Sequence, residues 1–271
     1  MKHQDLLNKM TLDEKAAILS GMTEWETRNI DRLNIPSMFC SDGPHGIRKQ
    51  EGDGDHLGLN ASVPATCFPT AATVANSWDP ELGEEIGKAL GEEAVALNVN
   101  VILGPGLNVK RNPLCGRNFE YFSEDPYLAG KMAASYIKGI QSKGVAACPK
   151  HYAVNSQELR RMASDSVLDE RTLREIYLTN FEIAVKEGNA KAIMSAYNQV
   201  NEVYANENKH LLQDILRDEF GFEGHVVSDC WAILDFHEHH HVTESVEESA
   251  AMAVNNGCDL NCGSAFLHLQ E

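Results

Sequence analysis

The sequence predicts an α/β fold of the (β/α)8 TIM-barrel type. Short apolar runs alternate with amphipathic segments along the 271 residues, as expected for parallel strands joined by covering helices. Charged or polar residues directly follow at least five of these runs. In a closed barrel all such strand ends face one central pocket, which favours a barrel over an open sheet. The strand count falls short of eight, so we expect one irregular or missing strand in the first or last unit.

The predicted strands are short apolar runs bounded by glycine, proline or polar residues. They cover residues 35–40, 99–103, 145–148, 190–196, 226–227 and 258–261. Helix starts are also visible: Thr11-Leu-Asp-Glu14 is a capping box, and Asp79-Pro80 and Asp125-Pro126 place proline in a first helical turn. Apolar residues at helical spacing predict further helices over 169–186, 211–220 and 245–255.

Composition excludes several classes of partner. The formal charge of −17 argues against nucleic acid and against an anionic membrane surface, because both select lysine and arginine. No apolar run approaches the roughly 18 residues of a membrane span, and the first residues lack the apolar centre of a signal peptide. The seven cysteines are odd in number and scattered, which indicates reduced thiols and a cytoplasmic protein.

Three patterns that suggest a metal or a nucleotide are weak. Residues 237–241 hold four histidines, but these are crowded rather than helically spaced, so a solvated loop is the better interpretation. Cys258 and Cys262 have no second cysteine pair to complete a zinc site. Gly104-Pro-Gly106 lacks the glycine pattern that cradles phosphates. We therefore expect no metal and no cofactor.

Asp229 is the candidate nucleophile. It follows the apolar pair Val226-Val227 at the carboxyl end of a predicted strand, where α/β folds place their ligands. The alternative is that Asp229 caps the next helix, which is the commoner role of an aspartate after a strand.

Other polar side chains would meet Asp229 if the strand ends converge. They are Asp42, Arg48, Arg117, Lys150, His151, Arg161 and Tyr197. Two acids among several cations suit a ligand rich in hydroxyl groups, and the cations would keep Asp229 ionised. Taken singly, Arg117 and Lys150 could form surface ion pairs and His151 could be an ordinary core histidine. Their shared position after successive strands favours a site.

Five motifs together resemble glycoside hydrolase family 3. They are Asp42-Gly-Pro-His-Gly-Ile-Arg48, Gly116-Arg-Asn-Phe-Glu-Tyr-Phe-Ser-Glu-Asp-Pro126, Lys150-His151, Asp169-Glu-Arg-Thr-Leu-Arg174 and Val227-Ser-Asp229. The resemblance implies a barrel domain that takes part in retaining hydrolysis of β-linked sugars, with Asp229 as the nucleophile. It also implies that the seven polar residues named above grip the non-reducing-end sugar, with Leu103 and Met194 lining the pocket.

The likeness divides between two branches of that family. Many of its β-glucosidases carry an aromatic residue directly after the nucleophile, whereas this chain has Cys230, with Trp231 one place later. Ser-Asp-Cys230 and Asp259-Leu-Asn-Cys262 look more like the β-xylosidases, while the Asp42-Gly-Pro turn looks like the β-glucosidases. We expect a β-glucoside or oligosaccharide substrate and keep a β-xyloside as the alternative.

The second carboxyl group that retaining hydrolysis needs is not evident in the sequence. In the similar β-glucosidases it comes from a following α/β-sandwich domain, so the resemblance implies that residues 1–271 are the barrel domain and that the sandwich domain is absent from this chain. Another branch uses an Asp–His pair within the barrel, but Asp165-Ser-Val167 has valine where histidine is needed. Glu158 and Glu238 remain as acids that nothing directs at the scissile bond.

Two other functions stay open. The missing acid/base favours a non-catalytic carbohydrate-binding barrel, and the cationic strand ends favour a phosphate-handling barrel enzyme. A barrel mouth without its covering domain would also leave apolar surface through which copies associate.

Overall fold

The computed structural model describes residues 3–52, 54–55 and 59–269, so the two ends of the predicted 1–271 domain lie outside the described residues. The α-helices are α1 (Gln4–Leu7), α2 (Leu12–Ile18), α3 (Ala71–Ala75), α4 (Pro80–Ala96), α5 (Pro126–Gln141), α6 (Glu170–Thr172), α7 (Thr179–Lys186), α8 (Asp235–Glu238) and α9 (Val246–Asn256). The strands are β1 (Cys40–Asp42), β2 (Val101–Leu103), β3 (Ala146–Ala147), β4 (Lys150–Tyr152), β5 (Asp165–Ser166), β6 (Ala192–Ser195), β7 (Gln199–Val200), β8 (Val203–Tyr204) and β9 (His225–Val227).

Two parallel sheets form most of a ring. One has the order β1-β2-β3 and the other β4-β6-β9, and the chain passes directly from β3 into β4. Isolated bridges carry the pairing further, from Val227 to Leu260 and from Asn261 to Ser20. Antiparallel bridges at Gly21–Thr27 and Glu26–Phe39 then lead back towards β1.

The predicted fold class is confirmed, with an irregular unit at the closure. The described residues do not form one continuous closed sheet, because β1-β2-β3 and β4-β6-β9 are separate sheets and the pairing beyond β9 consists of single bridges. The predicted strand over 258–261 is wrong. Within it only Leu260 and Asn261 pair with neighbouring chain segments, each through an isolated bridge.

Several predicted strand bounds also need correction. Of the strand predicted over 35–40, only Cys40 lies in an observed strand, β1. The strand predicted over 190–196 is shorter in the structure, where it is β6. Lys150 and His151 do not follow the strand over 145–148; they lie inside a second short strand, β4. The small sheet β5-β7-β8 was not predicted, because two-residue ladders of largely polar residues leave no periodic signal.

The helix starts agree with the sequence. Thr11 accepts a hydrogen bond from the Glu14 backbone N–H at 3.2 Å, and the Glu14 carboxylate accepts from the Thr11 N–H at 2.9 Å. Asp79 and Asp125 cap α4 and α5. The predicted helix over 169–186 contains a π-helical segment, Leu173–Leu178, and the one over 211–220 is π-helical at His210–Glu219. An apolar pattern alone does not separate these forms.

Apolar side chains form a core on both sides of the ring. Outside it, α4, α5 and α7 pack on the strands through residues such as Leu90, Ile137 and Phe181. Inside it, a smaller cluster includes Val101, Leu103, Cys148, Ala192, Met194, Val227 and Leu260. Of the helices in the described part of the chain, none is long and apolar enough to span a bilayer.

The α4–α5 contact gives a test of the packing. A Cβ atom on Gly139 would lie 2.8 Å from the Lys88 backbone nitrogen and closer still to the Glu84 carbonyl, and backbone atoms cannot move aside cheaply. We expect Gly139→Ala to lower the free energy of unfolding by about 1–2 kcal/mol, since overpacking outweighs the gain in helix propensity. Gly116→Ala, where no atom lies within 4 Å of the added Cβ, should change it by less than about 0.5 kcal/mol in the same urea titration.

Candidate active site

A buried ion pair joins β1 to β4. The Lys150 ammonium lies 2.7 Å from Asp42 Oδ1, and its side chain is 6% exposed. Arg48 approaches the other Asp42 oxygen at 3.7 Å. Burial alone would raise the pKa of Asp42, but the charge and hydrogen bond of Lys150, with the charge of Arg48, hold that pKa below its usual value. The carboxylate is therefore ionised and held in place.

The turn after β1 fixes the direction of Asp42. Gly43 adopts φ +120°, a conformation that side chains rarely tolerate, and a Cβ atom there would collide with the Gly46 backbone. The Arg48 backbone N–H then bonds back to the Asp42 carbonyl at 3.0 Å. The Asp-Gly-Pro motif thus closes a tight turn that presents its carboxylate at the end of the strand.

Arg117 is clamped by a buried glutamate. Its guanidinium donates to the two Glu120 carboxylate oxygens at 2.7 and 3.2 Å, and Glu120 is 6% exposed. Arg117 Nη2 also meets His151 Nε2, 3.0 Å away. Sequence reasoning missed Glu120, although its spacing of three from Arg117 within the same motif was a usable signal.

His151 lies in the centre of the cluster and is neutral. Burial, together with the positive charges of Arg117, Lys150 and Arg161, lowers the pKa of His151 well below its usual range. Its Nε2 is 3.8 Å from Asp229 Oδ2, too far for a hydrogen bond. Its backbone is held on both sides by Asn108, whose amide accepts from the His151 N–H and donates to the His151 carbonyl, each at 2.8 Å. Nothing in the sequence pattern had indicated Asn108.

Asp229 lies just beyond β9 with its side chain 13% exposed. Its Oδ1 accepts a hydrogen bond from the Cys230 backbone N–H at 2.9 Å. Burial raises the pKa of Asp229, and the charges of Arg117, Arg161 and Lys150 oppose that rise. The cations act in the predicted direction, but burial is the larger effect. The capping alternative is not supported, because the next helix, α8, begins only at Asp235 with Leu234 before it.

Arg161 and Tyr197 form the other side of the cluster. The Arg161 guanidinium lies 4.7 Å from the centre of the Tyr197 ring and donates to Glu158 at 2.9 Å. The Tyr197 hydroxyl donates to the Cys230 carbonyl, next to Asp229. Burial, and then the charge of Asp229, raise the pKa of Tyr197, so its hydroxyl remains protonated.

Leu103 and Met194 lie deeper, in the apolar interior of the ring. They are 7% and 4% exposed and line a small cavity of about 40 Å³ together with Trp25 and Cys262. The polar residues named in the sequence therefore converge on one cluster, and these two apolar residues lie beneath the ring's mouth. Their role in lining a sugar pocket stays a prediction.

Cys230 and Cys262 correct the expectation of reduced thiols. They form a disulfide with their Cα atoms 4.6 Å apart. The segment after β9 runs beside the chain's last bridges, with Ser228 N–H bonded to the Leu260 carbonyl and Trp231 N–H to the Cys262 carbonyl. A separation of 32 residues gave no spacing signal for this pair. The five cysteines at 40, 67, 115, 148 and 258 are free.

The histidine-rich segment also differs from expectation. His240 is partly buried and stacks on Tyr204 with the ring centres 3.6 Å apart, so the prediction of a solvated loop is wrong for this residue. Burial lowers the pKa of His240 to about 4. Within residues 3–52, 54–55 and 59–269, no three side chains of histidine, cysteine, aspartate or glutamate converge as a metal site.

The remaining candidate acids are engaged by other groups or exposed. Glu158 is bound by Arg161 and lies 4.0 Å from Arg117. Glu238 is exposed on α8, and Asp165 lies in β5 and accepts from the Glu202 N–H. Beyond Glu158 a cleft of about 550 Å³ opens between the loops around residues 111–116 and 154–168.

Comparison with known proteins decides the family. The model of the "Glycosyl hydrolase family 3 N terminal domain" matches residues 10–264. The chain belongs to glycoside hydrolase family 3. It is 56% identical over 230 residues to the thermostable beta-glucosidase B of Acetivibrio thermocellus, a match that covers 85% of this chain and 30% of that protein.

Two further proteins are similar to most of this chain over about a third of their own length. The exo-alpha-(1->6)-L-arabinopyranosidase of Bifidobacterium longum is 49% identical over 224 residues, covering 82% of this chain and 30% of that protein. The solved structure of beta-glucosidase 3B from Thermotoga neapolitana in complex with alpha-D-glucose superposes with a TM-score of 0.85 at 40% identity, over 100% of this chain and 38% of that one. The chain thus spans about a third of the length of these family 3 relatives.

The Lys150–Asp42 pair gives a test of this family 3 site. Lys150→Met leaves Asp42 without its main partner, so we expect a loss of roughly 2–4 kcal/mol in unfolding free energy at neutral pH, with Arg48 limiting the effect. Because Lys150 lowers the pKa of Asp42, the pair stabilises the fold above the ordinary aspartate pKa of about 3.9 and is lost as the pH falls through the lowered value. The difference between the two proteins should shrink at acid pH.

The matched control is Lys143→Met, which removes a surface ion pair to Glu92 at 2.6 Å. Its effect should stay below about 1 kcal/mol. The free energies of unfolding are measured by denaturant titration at several pH values. Equal losses in the two variants would contradict the claim that the Lys150–Asp42 pair stabilises the fold more than a surface ion pair does.

Proposed function

We propose that this chain carries the nucleophile and the sugar-binding half of a retaining β-glycosidase that removes β-D-glucosyl residues. The observation behind the proposal is the convergence of Asp42, Lys150, His151 and Asp229 in one cluster beside Arg117 and Arg161. A carboxylate and an ammonium 2.7 Å apart can together accept from and donate to the hydroxyls of one sugar ring. A phosphate-handling enzyme fits less well, because the cations are already matched by Asp42, Glu120 and Glu158.

In the proposed reaction Asp229 attacks the anomeric carbon. The Cys230 N–H holds Oδ1, which leaves Oδ2 as the attacking atom. The C1–O bond to the leaving group breaks as the Oδ2–C1 bond forms, and water later cleaves the glycosyl–Asp229 ester. Burial makes the carboxylate a stronger nucleophile than it is in water, while Arg117 and Arg161 favour its ionised form.

We propose that the acid/base comes from outside these contacts, from a following α/β-sandwich domain. Retaining hydrolysis places it about 5–5.5 Å from the nucleophile. Among the described residues, the groups that act most strongly on the Asp229 charge are cations and an N–H, not a carboxyl group. Leu114, Leu159 and Val167 are 90%, 77% and 82% exposed around the cleft beyond Glu158. This apolar rim supports coverage by another part of the protein or by a second copy.

The β-glucoside is the preferred substrate because the relatives' names are mainly those of β-glucosidases. The Cys230–Cys262 disulfide beside Asp229 favours the β-xyloside as the second candidate, since it occupies the place of the aromatic residue that many β-glucosidases of the family carry. A pentoside is also the substrate named for the Bifidobacterium relative. Trapping rates with matched aryl glucosides and xylosides separate the two.

A covalent trap tests the nucleophile. A dinitrophenyl 2-deoxy-2-fluoro-β-glucoside has a leaving group that needs little protonation and a sugar whose ester hydrolyses slowly. We expect peptide mass spectrometry to find the fluoroglucosyl group on Asp229, no adduct in Asp229→Asn, and normal labelling in Asp218→Asn, an exposed carboxylate used as the control. Labelling of another residue would remove Asp229 from its role. Binding of glucono-lactone without any adduct would favour the non-catalytic barrel.

Leaving-group dependence tests the origin of the acid/base. General acid catalysis typically contributes about 10²–10⁴-fold, and a sugar leaving group depends on it far more than dinitrophenolate does. We expect the 271-residue chain to leave cellobiose intact while reacting slowly with the dinitrophenyl β-glucoside. Efficient cellobiose cleavage, abolished by Glu158→Gln or Glu238→Gln, would place the acid on this chain.

A further inference from the structure

The His151 imidazole is held between two fixed partners. Arg117 Nη2 lies 3.0 Å from Nε2, and the Tyr121 hydroxyl oxygen lies 3.2 Å from Nδ1. The Tyr121 and His151 rings meet edge to face with their centres 6.3 Å apart. Tyr121 and His151 are almost completely buried, at 0% and 2% exposure.

These contacts fix where the imidazole proton resides. A guanidinium group only donates hydrogen bonds, so Nε2 must accept from Arg117 and cannot carry a proton. The neutral ring therefore holds its proton on Nδ1 and donates it to Tyr121. We infer that Arg117 and Tyr121 hold His151 as the Nδ1–H tautomer, and that Tyr121 is a positioning residue of the proposed site.

The tautomer matters because Nε2 also faces Asp229, 3.8 Å from Oδ2. A proton on Nε2 could be donated to Oδ2 after a small movement, which would tie up the oxygen proposed to attack. An unprotonated Nε2 leaves that oxygen free to attack. This consequence rests on the proposed function, whereas the tautomer itself rests only on the contacts of Arg117 and Tyr121.

Removing the Tyr121 hydroxyl should allow His151 to change its tautomer. In Tyr121→Phe the Nδ1–H group would be buried without an acceptor, an unfavourable state that a change of tautomer relieves. The proton then moves to Nε2, the Arg117 contact breaks, and Oδ2 of Asp229 becomes the new acceptor. We expect trapping by the fluoroglucoside to slow roughly tenfold. This is the rate effect expected from losing about one hydrogen bond that positions the imidazole.

The matched control is Tyr152→Phe. Tyr152 follows His151 directly and is equally buried, but its hydroxyl donates to the Leu211 carbonyl at 3.0 Å instead of to the imidazole. Both variants lose one buried tyrosine hydroxyl, so a general loss of stability would affect them alike. Only a positioning role makes them differ at His151.

Nitrogen NMR of ¹⁵N-histidine-labelled protein reads the tautomer directly. The chain has eleven histidines, and the His151 signals are identified by their disappearance in His151→Gln. In the wild type and in Tyr152→Phe we expect an unprotonated, pyridine-like Nε2 and a protonated, pyrrole-like Nδ1. In Tyr121→Phe the Nε2 signal should shift towards the pyrrole-like position.

The outcomes separate the inference from the proposed function. A pyrrole-like Nε2 in the wild-type protein would overturn the tautomer assignment, whatever the variants do. A Tyr121→Phe spectrum identical to that of the wild type would overturn the positioning role. The expected spectra in a protein that neither binds glucono-lactone nor reacts with the fluoroglucoside would support the tautomer and contradict the glycosidase.

Discussion

The ion pair between Lys150 and Asp42 is the interaction on which the site depends. It connects β1 to β4 across the intervening β2 and β3, so it holds two parts of the ring in register at the level of the cluster. A lysine this buried is costly without a partner, and its pairing offsets that cost only while the two strands stay together. The pair therefore couples the packing of β1 and β4 to the arrangement of the site.

The rest of the cluster follows the same rule of matched charge. Four cations face four carboxylates: Arg48, Arg117, Lys150 and Arg161 with Asp42, Glu120, Glu158 and Asp229. The site is close to neutral although the chain carries a formal charge of −17, so the excess negative charge lies elsewhere. Within the described part of the chain, Asp229 has no cation in direct contact, and its nearest basic side chain is the neutral His151 at 3.8 Å, which leaves the carboxylate available for a ligand.

A structural feature could be predicted from the sequence when its interacting residues lie close together in the chain. Caps and apolar periodicity act over a few residues, and they predicted α2, α4 and α5 well. Asp42 and Asp229 could be placed together because parallel strands share one edge, whereas Lys150 and His151 lie inside β4 rather than after the predicted strand. Asn108 and Tyr121 were not predicted, because their roles depend on contacts with the backbone and the ring nitrogen of His151, which lies distant in sequence. The Cys230–Cys262 disulfide was not predicted, because folding of the ring brings these two cysteines together. The direction of the Asp229 pKa shift required the burial as well as the charges.

A crystal structure of the chain soaked with glucono-lactone tests the central claim most directly. We predict that the lactone lies within the cluster, with its C1 facing Asp229 Oδ2 and its ring hydroxyls in hydrogen-bond contact with Asp42 and Lys150. A lactone bound only in the cleft beyond Glu158, with Lys150 and Asp42 unchanged and Asp229 without contact, would contradict the assignment of this cluster as the sugar site.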